Sequence, residues 1–137
     1  MNHTRVSLRV HVIFSTKEHL PTIPAALQDR TWQFIGGIAR NCGMTAIAVG
    51  GMSDHVHVLL LLPPTIPLAT AVQKLKANSS RWIHEQTGHA FQWQEGYAAY
   101  SVSISQTDRT VAYILGQREH HQRRSYGEEM MRILAHM

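Results

Sequence analysis

Cysteine is almost absent from this sequence. Cys42 is the only one among 137 residues, which excludes an internal disulfide and a cysteine-based zinc site. A chain that makes no use of disulfides is compatible with a reducing compartment. We therefore expect a cytoplasmic protein.

Long apolar segments are also missing. The longest apolar run, Val58 to Leu62, stops at Pro63 and is far too short to cross a membrane. The N-terminal residues Met1 to Arg5 are polar and charged, unlike the apolar segment of a signal peptide. These two absences predict a soluble protein without a membrane anchor.

The composition is otherwise that of one ordinary globular domain, and we assign residues 1–137 to it. Thirteen Lys and Arg residues against nine Asp and Glu residues give a net charge of +4, which suits a polyanionic partner or serves solubility alone. Ten histidines exceed the needs of a core of this size and raise the question of metal or proton chemistry.

Hydrophobic periodicity predicts four strands and three helices. The predicted strands are Ser7–Ser15, Thr45–Val49, His55–Leu62 and Tyr97–Ser105. One helix starts at Pro24 and stops near Gly43, a second runs from Pro67 to Gly88, and a third spans about Thr107 to Arg123. A turn is predicted at Gly50-Gly51 with Ser53-Asp54, and a short final helix from Ser125.

This order, β-α-β-β-α-β plus a helix, is the ferredoxin-like split βαβ pattern of the α+β class. It places the first and third strands at the centre of an antiparallel sheet and both main helices on one face. The third helix, which carries Tyr113, is the available cover for the opposite face.

His55-Val56-His57 is the sharpest local feature. Residues two apart on a strand project from the same face, so the two imidazoles can supply two nitrogens to one metal ion. Val56 and Val58 project toward the helices. His11 on the neighbouring first strand falls on the histidine side, with a phosphate-contacting or structural role. The alternative is that all three are polar residues on an exposed sheet face.

Tyr113 and Gln117 are one helical turn apart and therefore share a face of the third helix. If that helix crosses the open sheet face, a phenol and an amide oxygen approach the histidine pair. The alternative is a core or interface tyrosine beside a surface glutamine.

Taken together, these segments resemble the single-tyrosine, IS200-like transposases of bacterial insertion sequences, which belong to the HUH (His-hydrophobe-His) class. The resemblance runs through nearly the whole chain in the expected order. It is carried by Val10–Lys17, Met52–Leu60, Leu75–Ile83, Trp93–Tyr97 and Tyr113–Gln117.

The resemblance implies a role for each matching residue. His55, His57 and Gln117 would hold Mg²⁺ or Mn²⁺, and Tyr113 would be the nucleophile that becomes linked to a 5′ phosphate. It further implies single-stranded, hairpin-bearing DNA as substrate, a homodimer, and association with the nucleoid. We expect the DNA to be contacted by Arg9, His11, Lys74, Lys76, Arg81 and Arg118.

Three other functions stay open. A non-catalytic single-strand binder on this fold would show stacking aromatics on the central strands, where histidines stand instead. A metal-dependent hydrolase or dioxygenase would need a carboxylate; Asp54 has the wrong strand parity, while Glu95 and Glu119 remain candidates. A domesticated relative that processes chromosomal repeats would have the same sequence features.

Overall fold

The computed structural model describes residues 4–117, which form one four-stranded antiparallel sheet and three α-helices. In chain order these are β1 Leu8–Ser15, α1 Ala25–Asn41, β2 Thr45–Met52, β3 His55–Leu62, α2 Leu68–Thr87, β4 Ala98–Val102 and α3 Thr107–Leu115. The strand order is β2-β3-β1-β4. The predicted ferredoxin-like topology, with β1 and β3 central, is therefore confirmed.

Local signals set the ends of the two long helices. Pro24 and Pro67 precede α1 and α2, where a missing backbone N–H costs nothing. Gly43 and Gly88, just past the helix ends, have φ of 82° and 73°, a left-handed conformation that favours glycine.

The main core lies between the sheet and helices α1 and α2. Alternate residues of β1 and β3, among them Val12, Phe14, Val56 and Val58, point into it. From the helices, Ile35 and Leu75 are fully buried against them. The even-numbered positions of β3 thus face the helices, as the strand alternation predicts.

The opposite face of the sheet is covered by α3. Ile114 packs there against Ala48 of β2 and Leu59 of β3, and all three are buried. The odd-numbered positions of β3, which include His55 and His57, therefore lie beneath α3 rather than in solvent.

Two predicted boundaries were wrong. Gly50 and Gly51 do not belong to the turn; they extend β2 and pair with His57 and Val56, so that only Ser53-Asp54 turns the chain. Pairing with β3 overrides the turn preference of the Gly-Gly sequence.

The fourth strand ends at Val102, not Ser105: its pairing with β1 stops at Arg9, and the chain then enters a short 3₁₀ helix at Ile104–Gln106. Ile104, which was predicted to belong to this strand, lies in the 3₁₀ helix instead and is exposed. The predicted end of the third helix near Arg123, and the final helix from Ser125, lie outside the described residues.

Within residues 4–117 the helices are too short or too polar to cross a bilayer.

Candidate functional site

The histidine pair lies in a buried layer between the sheet and α3. His55 and His57 are 0% and 1% exposed, and their rings meet edge to face with centroids 5.1 Å apart. The exposed-face alternative is therefore wrong. Burying two imidazoles is unfavourable unless their nitrogens have partners, so their contacts are informative.

Gln117 brings an amide to this pair from just beyond the end of α3. Its Oε1 lies 3.0 Å from Nε2 of His55, and its Nε2 donates to the backbone oxygen of Tyr113 at 3.2 Å. Because the amide nitrogen is used in that bond, the oxygen is the atom that faces His55. Gln117 is 1% exposed, so it is not a surface glutamine.

Tyr113, one turn before Gln117, lies over the second histidine. Its ring centroid is 5.6 Å from that of His57 and 6.2 Å from that of His11, both edge to face. Its hydroxyl oxygen is buried. One chain therefore brings the predicted nucleophile and all three predicted metal ligands into one cluster.

His11 forms a second layer behind His57. Its Nε2 lies 2.8 Å from Nδ1 of His57, and the side chain is buried. Burial lowers the pKa of His11 from 6.5 to about 4, because the protonated ring would lose its hydration. His11 is thus a neutral imidazole at neutral pH.

Asp54 takes a place that strand parity did not predict. Its Oδ1 lies 2.7 Å from Nδ1 of His55, on the opposite side of that ring from Gln117. Asp54 belongs to the tight turn before β3, where alternation no longer decides the direction of a side chain. The one sequence signal for this contact is that Asp54 directly precedes His55 in the chain.

The residues predicted to contact DNA are not all in one place. Arg9 on β1 donates from Nη1 to Ser7 Oγ at 2.6 Å. Lys74, Lys76 and Arg81 belong to α2, which packs on the other face of the sheet from the histidines. Arg118 lies outside the described residues.

Lys76 is engaged within the protein. Its Nζ donates to the backbone oxygens of Gln94 and Gly96 at 2.7 and 3.0 Å. Partial burial lowers the pKa of Lys76, while the nearby Glu95 carboxylate acts in the opposite sense. Arg81 donates to Asn78 Oδ1 at 2.9 Å and remains exposed, as does Lys74.

Among residues 4–117, no three side chains from His, Cys, Asp and Glu are arranged to hold one metal ion. The candidate donor set is therefore mixed, with two imidazole nitrogens and one amide oxygen from His55, His57 and Gln117. Such a set suits Mg²⁺ or Mn²⁺, which accept oxygen ligands and keep positions for water or phosphate.

The chain is similar in sequence to known transposases. Residues 4–117 match the sequence model of a family described as "Transposase IS200 like". The chain is 27% identical over 90 residues to the transposase for insertion sequence element IS200 of Salmonella typhimurium strain LT2, and equally to that of Salmonella typhi. The match covers 63% of this chain and 57% of each relative, so the chain spans little more than half the length of these curated relatives.

Two solved structures share the fold. A candidate transposase from Deinococcus radiodurans R1 superposes with a TM-score of 0.70 at 24% identity, over 83% of this chain and 93% of the other. A REP-associated tyrosine transposase bound to a REP hairpin superposes with a TM-score of 0.58 at 12% identity, over 83% of this chain and 70% of the other.

Proposed function

The chain belongs to the IS200-like transposase family, and we propose that it nicks and rejoins single-stranded DNA through a covalent link to Tyr113. One observation carries the proposal: the Tyr113 ring lies 5.6 Å from that of His57, in a cluster where Gln117 Oε1 is 3.0 Å from His55 Nε2. A phenol and a candidate metal-ligand set thus meet in a buried layer of one chain.

Tyrosine suits a reaction that must be reversible without ATP. The Tyr113 oxygen loses its proton and bonds to phosphorus as the bond from phosphorus to the 3′ oxygen breaks. The departing oxygen takes up a proton and becomes a 3′ hydroxyl, while the 5′ phosphate stays on the tyrosine. Attack by a 3′ hydroxyl reverses each step, so the phosphodiester energy is kept throughout.

His55, His57 and Gln117 would hold Mg²⁺ or Mn²⁺. The fit rests on the donors: an amide oxygen, fixed in direction by the bond from Gln117 Nε2 to Tyr113 O, faces an imidazole nitrogen at 3.0 Å. When bound, such an ion supplies Lewis-acid stabilisation of the charge that develops on the phosphate. The ordinary pKa of a tyrosine is about 10, so the phenol needs such help near neutral pH.

We propose hairpin-bearing single strands as the substrate. A structural neighbour is described as bound to a REP hairpin, and the net charge of +4 suits a polyanion. Action on such DNA would place the protein in the cytoplasm, at the nucleoid when bound. A domesticated enzyme that processes chromosomal repeats would use the same chemistry.

We also propose a homodimer in which each tyrosine serves its own chain. Ile114 of α3 is fully buried against Leu59 of the same chain, which supports a site completed without exchange of this helix.

Strand cleavage tests the proposal. Labelled single-stranded hairpins from the gene's own flanks are incubated with Mn²⁺ or Mg²⁺, and products are resolved on a denaturing gel. We expect cleavage that chelator abolishes and that His57→Ala lowers by at least about 100-fold, about 2.7 kcal/mol. His89→Ala, which changes an exposed histidine, is the matched control. DNA retention without cleavage in either metal would favour a binding module instead.

A further inference from the structure

The two nitrogens of an imidazole cannot both be free to bind a metal in its neutral form. One carries the proton, and the hydrogen bond made by that nitrogen decides which lone pair remains. In this site each histidine of the pair has a neighbour at Nδ1: the buried His11 at His57 and the partly exposed Asp54 at His55. The neighbours therefore decide the direction in which both rings can bind.

His55 is controlled by Asp54. An ionised carboxylate only accepts hydrogen bonds, so at 2.7 Å from Asp54 Oδ1 the Nδ1 of His55 must be the donor. The lone pair of the neutral ring is then on Nε2, the atom that faces Gln117 Oε1 at 3.0 Å. Two acceptor atoms that face each other in this way need a positively charged group between them, either a proton on Nε2 or a metal ion.

His57 is controlled by His11. The Nδ1 of His57 is 2.8 Å from Nε2 of His11. The other ring nitrogen of His57, Nε2, is also buried and points away from His11. If His57 is to bind through Nε2, its Nδ1 must carry the proton and donate to His11. The strand register accounts for this contact: Ile13 is paired with His57, and His11, two residues earlier, is its diagonal neighbour on the same face.

We propose that Asp54 and His11 are positioning residues that hold His55 and His57 in the Nδ1–H form, so that in each ring the Nε2 lone pair is the one that can bind a metal ion. This inference rests on the proposed function, because it assigns the purpose of the arrangement to the metal site. Neither residue would itself be a ligand of the ion. Outer partners of this kind typically change metal affinity by about 10- to 100-fold when removed.

The direct test is the tautomer itself, measured in metal-free protein. Two-bond ¹H–¹⁵N correlation spectra of ¹⁵N-labelled protein, above pH 7, distinguish Nδ1–H from Nε2–H rings. We expect Nδ1–H for both His55 and His57 in the unmodified chain. An Nε2–H ring at either histidine overturns the proposal for that residue, with no need of a variant.

Paired variants then separate positioning from simple packing. His11→Gln replaces the acceptor nitrogen of His11 with an amide oxygen, and Asp54→Asn keeps an acceptor oxygen, whereas His11→Leu and Asp54→Ala leave no side-chain acceptor. Mn²⁺ affinity, measured by electron paramagnetic resonance, should fall about 10- to 100-fold in the second pair and stay within about threefold of the original in the first. Equal losses in both pairs would contradict a hydrogen-bonding role.

The two proposals fail in different ways. If both rings are Nδ1–H but the protein neither binds Mn²⁺ nor cuts DNA, the proposed function is wrong. The idea that Asp54 and His11 prepare the histidines for a metal ion is then wrong as well. A chain that binds Mn²⁺ and cuts DNA with Nε2–H rings would retain the proposed function and remove only the positioning role.

Discussion

Gly50 of β2 faces the backbone of Ile114 in α3 so closely that a Cβ at Gly50 would lie 2.3 Å from the Ile114 carbonyl oxygen. Backbone cannot yield as a flexible side chain does, so a side chain here must displace α3. Tyr113 and Gln117 lie on either side of Ile114 in sequence. The approach of α3 to β2 therefore sets the position of the phenol and the amide above the histidines.

Gly50→Ala should accordingly impair chemistry more than folding. We expect cleavage to fall by at least about 100-fold, since small displacements of reacting groups cost about that much. Overpacking should lower the free energy of unfolding by about 1–3 kcal/mol. Cleavage assays and chemical denaturation measure the two effects.

The matched control is Gly36→Ala in α1, where an added Cβ meets nothing within 4 Å. It should raise the free energy of unfolding by about 0.5–1 kcal/mol and leave cleavage unchanged. Full activity in Gly50→Ala would show that the position of α3 is not critical.

Gln117→Ala should weaken Mn²⁺ binding by at least about tenfold, about 1.4 kcal/mol. The reason is that its Oε1, which lies 3.0 Å from His55 Nε2, is the proposed oxygen ligand. In the unmodified chain, cleavage should reach half its maximum at a lower concentration of Mn²⁺ than of Mg²⁺, because Mn²⁺ accepts nitrogen ligands more readily. Metal titrations of cleavage measure both. An unchanged Mn²⁺ affinity in Gln117→Ala would remove the amide from the ligand set.

A mixture of Tyr113→Phe and His57→Ala proteins should stay inactive. The Tyr113 and His57 rings of one chain are 5.6 Å apart, so neither variant can restore the other's site. Cleavage by the mixture, after incubation long enough for subunits to exchange, is the measurement. Restored activity approaching one quarter of the unmodified level, the limit when half of the dimers are mixed and each has one intact site, would instead place the tyrosine in the partner's site.

Lys76→Met should destabilise the protein, whereas Lys74→Met should not. Lys76 donates two hydrogen bonds, to the backbone oxygens of Gln94 and Gly96. Their loss should lower the free energy of unfolding by about 1–3 kcal/mol. Lys74, on the same helix, is exposed, so Lys74→Met should change the free energy of unfolding by no more than about 0.5 kcal/mol. Denaturant unfolding compares them. Equal stability of the two variants would contradict the anchoring role of Lys76.

The fold was largely predictable because its signals are local. The bounds of β3 and the starts of α1 and α2 follow from alternation and from prolines placed where each helix begins. The Gly50-Gly51 segment was mistaken for a turn because its conformation is decided by pairing with β3 and contact with α3, which no local pattern contains.

The candidate site likewise has a part that the sequence predicts and a part that it does not. Alternation predicts that His55 and His57 share a face, and helical spacing places Tyr113 one turn from Gln117. The contact of Asp54 with His55 depends on the geometry of a tight turn, and the bonds of Lys76 depend on a segment 18 to 20 residues further along the chain. Neither relation has a periodic signature, so sequence patterns did not predict them.

The most direct test of the proposed chemistry is a search for DNA bound covalently to Tyr113. Hairpin DNA from the gene's flanks is incubated with protein and Mn²⁺, the protein is digested, and the peptide that carries nucleotide is sequenced by mass spectrometry. We expect a 5′-phosphotyrosine at Tyr113 that is lost in Tyr113→Phe and in the presence of chelator. Cleavage that persists in Tyr113→Phe, or an adduct on another residue, would contradict it.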